Sequence, residues 1–272
     1  SEPLTDGELK FILHWILEGA PEYGTVASVD DLENMKRYTP PPFKPLAKPE
    51  SGYQIHVGPF GVQPNFEREF FMYKKLNNSK SVYVNRVQIE MRPGSHHFIG
   101  YLLNSSRPLF SLAKRFFVPN RIRDLHLPNG NDDPLVLASM TYHDFFAGTQ
   151  TPRYDYEFPK GVALRLPPNT GLDLNTHYVN RSEEAFEGEV YMNLHTIEKS
   201  DVKHEAKIIN FNNTDIELPP NKITMVTQDF QATEKMNIFQ LFSHSHEKSV
   251  EFRVEIADGK RDGELLYISY DW

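Results

Sequence analysis

The chain of 272 residues contains no cysteine. That excludes disulfide bonds, thiolate metal ligands and the Cys-x-x-Cys-His attachment of a covalent haem, so packing alone has to hold the fold. Basic residues are also few: 29 Lys and Arg stand against 37 Asp and Glu, a net charge of −8, and they form no basic block. Such a balance repels phosphate backbones, and nucleic acid is not expected as a partner. No apolar run approaches the roughly 20 residues that cross a bilayer as a helix, so no transmembrane segment is expected. Ser1 opens no signal-peptide pattern.

What is present is enough to bury a core. Hydrophobic residues make up 39% of the chain and aromatics 12%, in many short runs of β-forming residues, which predicts an all-β protein. Val82 to Met91 alternates: Val87, Ile89 and Met91 fall on one face, Arg86, Gln88 and Glu90 on the other. Further strands are expected near 53–57, 68–76, 96–103, 135–142, 161–166, 171–178 and 188–196. A second series is expected near 206–211, 222–229, 237–244, 249–256 and 264–270. The arrangement predicts two antiparallel β-sandwiches of jelly-roll type, over 51–200 and 201–272. Ahead of them, 1–50 carries one helix and a spacer. Thr5 and Glu8 have capping-box spacing, Leu9, Ile12, Leu13 and Ile16 share a helical face, and the prolines from Pro40 to Pro49 favour an extended chain.

Histidine carries the chemistry. Among 11 histidines, His96 and His97 are adjacent, and His244 and His246 flank one residue. Imidazole is a preferred ligand of copper and zinc. Pairs of this kind also arise by chance at this histidine content, so local structure has to decide. His244 and His246 would share a face of a regular strand. His96 and His97 would point to opposite faces unless a bulge follows Pro93-Gly94. His177 closes the alternating stretch Leu172 to Tyr178, after the turn signal Pro167-Pro168-Asn169-Thr170-Gly171. Asp173 and Glu247 are candidates to orient imidazoles. His14, His56, His126, His143, His195 and His204 are expected to be structural.

Arg92-Pro93-Gly94-Ser95-His96-His97, Asn175-Thr176-His177-Tyr178-Val179-Asn180 and His244-Ser245-His246, followed by Val250 to Val254, stand in this order from about residue 52 onward. In that order and spacing they resemble the copper type II, ascorbate-dependent monooxygenases, the family of peptidylglycine α-hydroxylating and dopamine β-monooxygenases, in their bacterial branch. The resemblance implies two copper ions, one on His96, His97 and His177, the other on His244, His246 and a Met. It implies hydroxylation of an organic C–H bond with dioxygen, an ascorbate-like or cytochrome electron donor, and a periplasmic or extracellular setting. Two departures stand out. All seven Met precede His246, so the second site lacks its Met and the chain is expected to be a piece of a longer fold. Phe242 occupies the place of an Arg that holds a peptide carboxylate in the amidating members, which argues against a peptide C-terminus as substrate. The stretch from Leu4 to Glu22 is similar to the last helix of c-type cytochrome domains. Two other readings remain open at this stage: a copper-binding or electron-transfer module, and a non-catalytic β-sandwich subunit of a larger assembly.

Overall fold

The computed structural model describes residues 4, 6–28, 30, 43–213, 215–245 and 248–270. The chain is mostly β, built on antiparallel sheets, with a short N-terminal helix α1 (Asp6–Leu17). One sheet runs β1 (Gly52–Val62), β10 (Phe186–Ile197), β3 (Val82–Met91), β8 (Val162–Leu166), β11 (His204–Ala206), with β7 (Arg153–Glu157) also on β3. The other runs β5 (Ile122–Asp124), β2 (Phe66–Lys75), β9 (Gly171–Asn180), β4 (Ser95–Leu103), β6 (His143–Thr149). Pairing is antiparallel throughout except for β8 with β11.

Alternation along the strands explains how the two sheets stack. Val87, Ile89 and Met91, grouped by sequence on one face, are all buried, and Ile55, Val57, Val190, Met192 and Leu194 extend this layer across β1 and β10. Phe70, Met72, Phe98, Leu172 and Leu174 supply the facing layer from β2, β4 and β9. Each such side chain, fully buried, contributes about 1.5–3 kcal/mol relative to exposure. Tyr178 spans the two layers, its hydroxyl donating to the Glu189 carbonyl oxygen at 2.8 Å. Phe60 packs edge-on against both Phe70 and Tyr178, a favoured aromatic geometry.

Strand β9 is buried on both faces, unlike an ordinary strand of an open sandwich. Its outer face carries Asp173, Asn175 and His177, and an excursion between β4 and β6 supplies part of the cover. That excursion holds α2 (Phe110–Ala113), β5 and α3 (Pro134–Met140). Phe117 from it packs near Tyr73, His143 and Arg123, and Ser139 of α3 accepts a hydrogen bond from Arg123. A polar sheet face is thereby taken out of water.

The strand expected near 135–142 is instead α3. Asp133 caps it, accepting from the Leu135 amide at 2.8 Å, and Pro134 occupies the first helical turn. This Asp-Pro start outweighs the β-like look of Leu135-Val136-Leu137. Past β11, the described residues form one two-stranded sheet, β12 (Phe252–Glu255) with β13 (Leu265–Ser269). The ladders expected near 222–229 and 237–244 are not formed there. Ile223 and Met225 stand 94% and 91% exposed, because no neighbouring strand of the described chain offers its backbone or covers that face. The segment is still tied to the sandwich: Phe242 stacks on Phe145, and the Tyr156 hydroxyl donates to the Phe239 carbonyl oxygen.

Helix α1 matches the expected periodicity, yet Ile12, Leu13 and Ile16 are exposed. Thr5, Pro40 to Pro42 and the capping-box contact lie outside the described residues. From Phe43 on, the proline-rich spacer forms no regular element and lies against β1 and β10. Gln54 and Asn193 donate to its Leu46 and Ala47 carbonyl oxygens.

Candidate metal centre

Pro93-Gly94 carries the chain from β3 in one sheet to β4 in the other. Gly94 adopts φ +92, a region that side-chain-bearing residues rarely enter, and the Phe186 ring occupies the space where a Cβ would stand. Immediately afterwards the β4–β9 register slips: Ser95 pairs with Tyr178, and His97 pairs with His177. The irregularity lets two adjacent histidines approach the same neighbour, which a regular strand forbids.

The three rings meet. Centroids lie 5.4 Å apart for His96 and His97, 4.7 Å for His96 and His177, and 4.9 Å for His97 and His177. One ligand nitrogen from each ring falls within 4.8 Å of the others. Among the described residues this is the single group of three or more His, Asp or Glu side chains placed to hold a metal ion.

Hydrogen bonds decide which nitrogen of each ring is available. Asn175 donates its amide N–H to Glu69 Oε1 at 2.9 Å, which turns its Oδ1 toward His97 and makes it the acceptor for His97 Nε2–H. His177 donates Nε2–H to Glu67 Oε1 at 2.7 Å. Both rings therefore keep Nδ1 as a lone pair. His177 Nδ1 is buried and has no hydrogen-bond partner. An orphaned buried acceptor of this kind costs stability unless something electropositive meets it. With the His97 proton at Nε2, His96 Nδ1–H donates to His97 Nδ1 at 3.2 Å, a bond that a metal ion would replace. Two vertices of a tetrahedron around an ion bound at ~2.0 Å lie roughly 3.3 Å apart, so this pair already has ligand spacing.

Electrostatics favour neutral His96 and His177 rings beside an ionised Glu69. Burial pushes His96 below its ordinary value, helped by the charges of His177 and His97, and Glu67 and Glu69 only partly oppose it. His177 is pushed down chiefly by burial as well. For Glu69, burial acts upward, but its interactions with His97, Asn175 and His177 prevail and hold it at about 2. Neutral imidazole is the ligating form.

Asp173, expected as an orienting group for the ligand rings, does something else. It is fully buried and pairs with Arg123 and with His143 Nε2, the latter at 2.8 Å. The reason is register: Asp173 stands opposite Tyr101 and Tyr73, four residues along β9 from His177, and so meets the far end of the sheet face. His143 stacks on Tyr101 and is structural, as expected. Of the other histidines, His56 bonds Glu189, His126 pairs with Asp132, and His195 bonds Gln88. The groups that orient the clustered rings are Glu67, Asn175 and, through Asn175, Glu69. Their sequence signal was present in alternation alone: Glu67 and Glu69 share a face of β2, as Asn175 and His177 share a face of β9.

His244 is exposed on the irregular segment that Phe242 anchors to β6. His246 and Glu247 lie outside the described residues. Beside the three-histidine centre a cleft of about 960 Å³ opens over the β2–β5 edge, lined by Phe66, Glu67, Arg121, Arg123, Leu127 and Leu135 among others, so Glu67 links His177 to solvent. Comparison with protein-family models and with curated proteins gives no match to this chain.

Proposed function

We propose that the chain is a copper-binding, monooxygenase-like protein whose sandwich holds one copper ion through Nδ1 of His97, Nδ1 of His177 and a ring nitrogen of His96. The observation that carries this reading is the buried, unpartnered Nδ1 of His177, beside two further imidazoles brought onto its face by a backbone bulge. An all-imidazole set with no thiolate suits copper or zinc, and copper(II) binds most tightly of the divalent first-row ions. A copper ion held there supplies reversible one-electron storage. The chain's own contribution is to fix the rings. Glu67 holds the His177 proton at Nε2, Asn175 holds the His97 proton at Nε2, and burial favours the neutral form of His177. His244 and His246 are proposed ligands of a second copper, where hydroxylation of an organic C–H bond with dioxygen would take place.

A second reading is an electron-transfer module with one redox-active copper. It needs only the one three-histidine group that the fold assembles. Copper-loaded protein, supplied with ascorbate and followed with an oxygen electrode and by copper spectroscopy, separates the two. The monooxygenase reading expects oxygen uptake above that of an equal concentration of free copper; reversible reduction without uptake favours the module. Purified protein that takes up no copper sinks both.

A further inference from the structure

We infer that Glu69 and Glu67 give the three-imidazole centre a preference for divalent over monovalent copper, acting as positioning and charge-setting residues. The inference rests on the copper reading above. Both carboxylates project from one face of β2 toward the rings. Glu69 lies 3.7 Å from His97 Nε2 and 3.9 Å from His177 Nδ1, and Glu67 lies 2.7 Å from His177 Nε2. Neither forms an ion pair with Lys or Arg among the described residues. Two guanidinium groups of the adjoining cleft are committed elsewhere, Arg123 to Asp173 and Arg68 to Asp124. Two negative charges therefore face neutral ligands with no cation to balance them, and the Glu69 side chain is only 19% exposed.

The consequence is a matter of charge counting. With neutral imidazoles, a divalent ion brings the sum of ion and carboxylates to zero, whereas a monovalent ion leaves one negative charge in a weakly screened site. Charge interactions across a few ångströms are much stronger there than in water. Glu69, the more buried, carries the larger share; Glu67, with its side chain 55% exposed, is better screened.

The test measures the Cu(I) and Cu(II) dissociation constants of the full chain by chelator competition, together with the midpoint potential, for wild type, Glu69→Gln and Glu67→Gln. Glu69→Gln is expected to lower the Cu(II) to Cu(I) affinity ratio by about tenfold, a rise of about 59 mV for one electron. Glu67→Gln is expected to shift it in the same direction by less, and its exposed position keeps the test alive should the first variant not fold. Copper binding retained with an unchanged ratio in the folded variants overturns this inference and leaves the copper reading intact. Wild-type protein that takes no copper overturns both.

Discussion

His97 stands directly across the β4–β9 ladder from His177, and the register slip just before it brings His96 against both. Convergence of the three rings thus depends on backbone irregularity at one point. Gly94→Val tests that dependence, because a side chain there meets the Phe186 ring and φ +92 is strained for it. Denaturant unfolding should show a loss of about 1–3 kcal/mol. Copper affinity should fall as well. A variant with wild-type stability and affinity would show that the bulge does not need glycine.

Asn175→Leu removes the acceptor for His97 Nε2–H and the donor to Glu69 while keeping side-chain bulk. Loss of such a ring-orienting bond typically weakens metal binding 10–100-fold, and we expect a drop of about that size in a copper titration. Unchanged affinity would mean that packing alone fixes the His97 ring.

The Asp173, Arg123 and His143 network is structural and separable from the centre. Asp173→Asn leaves the Arg123 guanidinium, itself 9% exposed, without its counter-charge, and should cost about 3–5 kcal/mol in an unfolding titration. Adding Arg123→Met should recover part of that loss, since a buried pair removed together is far less harmful than one partner removed alone. No recovery would mean that His143, not Arg123, is what Asp173 stabilises.

Glu189 makes the fold sensitive to acid. Burial acts to raise its pKa, but hydrogen bonds from Arg92, His56 and Tyr191 prevail and hold it below the ordinary 4.5. A carboxylate with a depressed folded-state value contributes stability that is present above about pH 4.5 and is lost as pH falls through the lower, folded value. Stability measured from pH 6 down should decline below that point, and Glu189→Gln should make this part of the decline shallower. An unchanged slope would assign the acid sensitivity to other carboxylates.

Much of the sandwich was legible from alternation. The inner faces of β3 and β9 follow from Val87, Ile89 and Met91 and from Leu172 and Leu174, because a period of two forces one face inward. The need for a bulge at His96 was also legible, from the rule that adjacent strand residues diverge. Glu67 as the partner of His177 was not: the two are 110 positions apart, and only the β2–β9 pairing brings them together. The role of Asp173, one candidate orienting group, was not legible for a related reason, since which end of a strand a side chain serves depends on the neighbouring strands' register. Helix α3 was misread because a three-residue apolar run fits either period, and the decisive signal was its Asp-Pro start. Strand-like sequence from 207 to 250 did not form ladders in the described residues because β pairing needs a partner that local sequence does not supply.

Copper stoichiometry of the purified full chain beside a His96→Ala, His177→Ala variant tests the centre most directly. Wild type should hold one equivalent of copper that the variant loses, with the sandwich still folded by circular dichroism. Equal copper content in the two folded proteins would contradict a metal centre at these rings.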